Sequence, residues 1–149
     1  MAFVRQLGEL RVGVGNPYLV FGTMLRPLPI VVDDVSLEWT HHNRPHHEPF
    51  EAESGLHNVP EVFHAAWRAP DGAIGLFFVN LHDPADGALA IDLPLSTPGD
   101  HHHTNVTVTT TRGDGPPIQR SNAWRPTLTL DLPPRVVVLV DISGTGVGA

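Results

Sequence analysis

The chain has 149 residues, 41% of them hydrophobic and 17% charged, and a formal net charge of -7. That length supports one domain with its own core, since about 150 residues bury roughly 68–70% of their unfolded surface, but a complete (β/α)8 barrel typically needs about 250. The acidic balance without a basic stripe argues against nucleic-acid binding, no apolar run approaches the ~20 residues of a membrane helix, and 14 glycines with 15 prolines argue against a helical protein.

Only the first dozen residues carry a helical pattern. Phe3, Leu7 and Leu10 recur at spacings of four and three, with Arg5, Gln6, Glu9 and Arg11 on the other side. Gly13, Gly15, Asn16 and Pro17 close that helix. From Pro17 onward the pattern changes to period two. Residues 18–25 form an apolar run closed by Arg26-Pro27-Leu28-Pro29, and 30–39 follow with Val31, Val35, Leu37 and Trp39 alternating against Asp34, Ser36 and Glu38. Residues 40–58 are polar and rich in His and Pro, and read as a long loop. Strands at 62–69 and 73–81 flank Pro70-Asp71-Gly72, a turn in which Pro presets φ and Gly accepts positive φ. The second arm is apolar at consecutive positions, which predicts a central strand covered on both faces.

Residues 88–93 place Leu89, Ile91 and Leu93 on one face. The threonine-rich segment 105–111, with Val106 and Val108 inward, suits an edge strand. Residues 127–132 alternate Leu with Thr and Asp, and 135–142 are β-branched beyond Pro133-Pro134. The expected fold is all-β, an antiparallel β-sandwich of about 7–9 strands preceded by a short N-terminal helix. Residues 1–16 read as helix and linker, 17–142 as the sandwich domain and 143–149 as a flexible Gly-rich tail.

The chain contains no cysteine and no lysine, which excludes disulfides, thiolate chemistry, Schiff bases and a P-loop. No signal peptide is visible at the start, so the expectation is a soluble, cytoplasmic chain. Histidine is the compositional excess, with ten residues. His41, His42, His46 and His47 precede Glu48, and His101 and His103 lie farther along, so imidazoles and a carboxylate could hold a transition metal in a cupin-like barrel mouth. The spacing departs from the cupin pattern, because His42-Asn43-Arg44 stands where His-x-His is needed before the glutamate. The plainer reading is a solvated loop with no cofactor. Asp33 and Asp34 point to opposite faces of a strand and cannot converge as a glycosidase pair, and no serine sits in a Gly-x-Ser-x-Gly elbow. Strand alternation puts Trp39 and Trp67 on apolar faces, whereas Trp124, beside Arg120, Ser121 and Asn122, is the candidate for an exposed sugar platform.

Two segments go beyond a generic β pattern. They are Asn16-Pro17-Tyr18-Leu19-Val20-Phe21-Gly22-Thr23-Met24-Leu25-Arg26-Pro27 and Val62-Phe63-His64-Ala65-Ala66-Trp67-Arg68-Ala69-Pro70-Asp71-Gly72, the latter leading into Gly75-Leu76-Phe77-Phe78-Val79-Asn80. Together they resemble the end of certain bacterial glycoside-hydrolase-like proteins, many known only as a domain of unknown function, in which a C-terminal β-sandwich follows a (β/α)8 barrel. The resemblance makes residues 3–11 the counterpart of the last barrel helix, 17–27 a strand, 67–72 a hairpin and 132–138 the final strand. It implies no catalytic residue here, because the carboxylates of such enzymes lie at the ends of barrel strands. The expectation is therefore a non-catalytic accessory domain with a structural role, partnered by a barrel and in contact with carbohydrate, and with neither nucleic-acid nor membrane partners. A small metal-binding cupin-like protein and a free-standing carbohydrate-binding module are the alternatives.

Overall fold

A strand apolar on both faces needs two covers, and this chain supplies two different ones. The structure, a computed structural model, describes residues 2–42, 52–95, 103–112, 115–123 and 125–144. Along it run α1 (Ala2–Val12), α2 (Asn16–Leu19), β1 (Thr23–Leu25), β2 (Asp34–His42), β3 (Ala52–Pro60), β4 (Val62–Arg68) and β5 (Ile74–Asn80). A 3-10 turn (Pro84–Asp86), β6 (Leu89–Pro94), β7 (His103–Arg112), β8 (Gly115–Ala123), β9 (Thr127–Leu132) and β10 (Val137–Gly144) complete it. One antiparallel sheet has the order β1-β4-β5-β10-β7-β8, while β2 pairs with β3 and β6 with β9. The antiparallel all-β class and the short leading helix agree with the expectation. Among the described residues no helix is long and apolar enough to cross a membrane.

Alternation along β10 sorts the core into two layers. Val138, Val140 and Ile142 join Leu76 and Phe78 of β5 against Leu93, Leu130 and Leu132 of the β6–β9 pair. Val137 and Leu139 join Phe77 on the opposite face, where Leu10 and Tyr18 from the helices cover them. Each such side chain contributes about 1.5–3 kcal/mol on burial, so both covers matter to stability. The consecutive apolar run of β5 therefore has the cause expected of it. Its hairpin closes as the Pro70-Asp71-Gly72 signal demands, with Gly72 at φ 91 and the Ala73 amide donating to Asp71 Oδ1 at 3.0 Å.

Several local expectations are corrected. In α1 the buried stripe runs through Gln6 and Leu10, four residues apart, while Leu7 is 40% exposed. Residues 18–25 are not one strand. Pro17 sits in the first turn of α2, the Tyr18 and Leu19 amides both donate to the Gly15 carbonyl, and Gly22 donates to Tyr18, which leaves only β1 extended. Val31 is exposed while Val32 packs on the core, so the alternation slips before β2 begins at Asp34. The expected 40–58 loop instead contains the end of β2 and all of β3. The threonine-rich β7 is interior, with β10 on one side and β8 on the other. Edge strand β8 was not among the expected strands, because Pro116-Pro117 and a polar run carry no strand pattern; Pro is tolerated on an edge, where a missing donor breaks no ladder. These two extra hairpin arms raise the strand number to ten.

Candidate functional site

Between β8 and the β6–β9 layer lies an open groove of about 380 Å³. Its floor is Val108 and Thr110 of β7 with Ile118, Arg120 and Asn122 of β8, and its wall is Leu128, Thr129, Leu130, Asp131 and Pro133. Register places Ile118 beside Thr110 and Arg120 beside Val108, so the period-two rise brings three β8 side chains into the groove in a row. Arg120 and Asn122 are exposed. A guanidinium, an amide, a carboxylate and threonine hydroxyls above apolar side chains suit a polyhydroxylated ligand better than a purely apolar one. The Thr129 hydroxyl is already engaged, donating to Asp92 Oδ1 at 2.7 Å.

A second polar cluster closes the end of β5. Asn80 is fully buried; its Nδ2 donates to the Leu132 carbonyl and its Oδ1 accepts from the His82 amide, both at 2.9 Å. Glu61, 8% exposed, meets His82 Nε2 at 2.7 Å, and the Leu81 amide donates to the Glu61 carbonyl at 2.8 Å. Arg135, in the left-handed region at φ 57, donates through Nε to the His82 carbonyl at 3.1 Å. The hydrogen bonds of this cluster bind one chain segment to another, which is a structural use of polar groups.

On the helical face, Tyr18 lies over Gly75 beside Asp141. Burial raises the Asp141 carboxyl, the Tyr18 phenol pulls it down and Asp71 pushes it up again; its Oδ1 is buried with no hydrogen-bond partner among the described residues. Burial also raises the Tyr18 phenol far above its ordinary range, with Asp141 adding to the rise. A folded value above the unfolded 3.8 gives stability that is complete at lower pH and lost as pH rises through the folded value. Asp141→Asn removes the charge, so it should melt higher than the parent chain at neutral pH, and the gap should close in acid. Melting curves across that range check this; a gap that persists unchanged in acid would contradict it.

The residues singled out in the sequence do not converge within the described structure. His41 and His42 end β2 and are exposed, His41 opposite Glu53 and His42 opposite Ala52. His103 begins β7, while His46, His47, Glu48, His101 and Trp124 lie outside the described residues. Among the described residues no three His, Asp or Glu side chains could hold a metal ion. Trp67 packs against the helical layer, as strand alternation implied, whereas Trp39 belongs to neither core. Sequence reasoning reached Arg120 and Asn122 only as neighbours of Trp124. It missed Thr110, Ile118 and Asp131, although the alternation of 118, 120 and 122 was there to be read.

No protein-family model matches the chain, and no curated protein matches it. Among solved structures it is similar to an α-L-arabinofuranosidase of family GH51 from Thermotoga petrophila RKU-1, at 13% identity over 73% of this chain and 24% of that one, TM-score 0.49. It is also similar to a bifunctional glucanase-xylanase, CelM2, from a metagenome library, at 18% identity over 64% of this chain and 18% of that one, TM-score 0.47. A xyloglucanase of glycoside hydrolase family 44 from Paenibacillus polymyxa matches at 13% identity over 64% of this chain and 19% of that one, TM-score 0.46. The chain spans between 18% and 24% of the length of these three proteins.

Proposed function

We propose that this chain is a non-catalytic accessory β-sandwich that packs against a glycoside-hydrolase-like (β/α)8 barrel, in cis or in trans, and stabilises it. The observation that carries the reading is the distribution of exposed apolar side chains. Of the eleven large hydrophobics exposed among the described residues, seven fall between Val4 and Met24, on the helices, the turns and β1. Phe21 is 67% exposed, Met24 60% and Val4 70%, an arrangement that marks an interaction surface when it is gathered in one region. The resemblance of 16–27 and 62–80 to the ends of glycoside-hydrolase-like proteins names the class of partner. The groove would then face carbohydrate, with Arg120, Asn122 and Asp131 addressing hydroxyls; Trp124, the aromatic candidate of the sequence, lies outside the described residues.

Co-expression with the glycoside-hydrolase-like barrel encoded nearest to it tests this reading. A complex should form, and the barrel should melt higher within it than alone. Phe21→Glu combined with Met24→Glu should abolish the complex while leaving the chain's own melting temperature within about 2 °C, as befits surface substitutions. Failure to form a complex, a complex indifferent to the double substitution, or glycoside hydrolysis by the chain alone would each count against the proposal.

A further inference from the structure

The β2–β3 ribbon contributes no residue to either core cluster, and most of its side chains are exposed. Register on one face sets Leu37 opposite His57, Trp39 opposite Gly55 and His41 opposite Glu53. The indole leans across onto the neighbouring strand at Gly55, where a side chain would begin only 3.0 Å from Nε1 and 3.5 Å from Cε2. Glycine thus leaves the seat that the indole takes. His57 lies with its ring centroid 5.0 Å from that of Trp39, and His41 at 6.4 Å. Three rings therefore form a strip along one ribbon face, with both imidazoles exposed and the indole half-buried.

The chemistry of this strip selects among ligands. A polyanion would approach a chain of net charge -7. A metal ion would need more donors than this face gathers, since no suitable trio exists among the described residues. A neutral sugar fits both halves of the strip. The C–H face of a pyranose lies against the electron-rich face of an indole, and its hydroxyls exchange hydrogen bonds with imidazole nitrogens and the Glu53 carboxylate. The flattest C–H face belongs to a ring whose substituents are all equatorial, and β-1,4 linkage presents such rings in a line. We infer that the strip of His57, Trp39 and His41 binds linear β-1,4-linked pyranose chains, at a site separate from the β8–β9 groove. The inference holds whether or not the chain docks on a barrel.

Calorimetric titration of the full chain with cellopentaose and xylopentaose, in EDTA, tests it. At least one should bind saturably at up to about 10 mM, and Trp39→Ala should weaken binding at least about tenfold. Trp39→Tyr keeps an aromatic face and should retain binding within about threefold, whereas Gly55→Val, which fills the seat of the indole, should lose it. Leu56→Ala, exposed on the opposite face of the same ribbon, should leave binding unchanged. Circular dichroism establishes that each variant is folded. No binding by the parent chain, a folded Trp39→Tyr as weak as Trp39→Ala, binding retained in Trp39→Ala, or loss in a folded Leu56→Ala would each overturn the assignment.

Discussion

Gly75→Ala should lower the melting temperature by roughly 2–12 °C, although it adds a single methyl group to a strand. A Cβ at Gly75 would stand 2.7 Å from both Cγ and Cδ1 of Tyr18, inside the ring's van der Waals surface. The tyrosine would have to lift from the sheet and forfeit its edge-to-face contact with Phe77, whose centroid is 6.0 Å away. Since Tyr18 is one of the side chains that seal the helical face, α2 would move with it. Overpacking of this kind costs about 1–3 kcal/mol, and a domain of this size loses about 2–4 °C per kcal/mol. The decisive check is a double-mutant cycle. In a Tyr18→Ala background, the added methyl should cost much less, because the atom it strikes is gone. An equal cost in both backgrounds would place the strain elsewhere.

Asn80→Leu should destabilise the chain by about 2–6 kcal/mol, despite replacing a polar core residue by an apolar one of similar size. Leucine can neither donate to the buried Leu132 carbonyl nor accept from the part-buried His82 amide, and each group left unpaired costs up to about 1–3 kcal/mol. The bond to Leu132 joins the end of β5 to the end of β9, so its loss should also loosen the β6–β9 cover. Urea unfolding measures the total, and hydrogen exchange at the His82 amide locates it. A loss below about 1 kcal/mol would mean that water or a shifted backbone replaces both partners.

The two predictions separate what local sequence shows from what it hides. Gly75 interrupts an apolar run, and a glycine there signals close approach of something to the backbone, but only the folded chain says that Tyr18 approaches. Asn80 ends the same run beside a local partner at His82, but its other partner, the Leu132 carbonyl, lies far along the chain. The β4–β5 hairpin was legible because its turn chemistry and strand periodicity are local. The β2–β3 ribbon was not, because its second arm, from Ala52 to Pro60, has scattered apolar residues and no alternating core face. It does not need one, since the ribbon stands outside both cores. The groove was legible only in part for a related reason: β8 is an edge strand, so its prolines and polar side chains carry little of the hydrophobic signal by which strands are recognised.

The sequence by itself determined the class of fold. Gly and Pro punctuation, period-two alternation and one doubly apolar strand admit few arrangements other than a sandwich of short antiparallel strands with a helix on its flank. Tertiary structure decided which surfaces are left over. It placed Leu7, Phe21 and Met24 outside the core while Gln6 went in, brought Arg120 and Asn122 opposite Asp131, and set the Trp39 indole over Gly55. The physical reason is that periodicity records only which face of an element avoids water. What covers that face, and what remains uncovered for a partner, depends on pairings between residues distant in the chain.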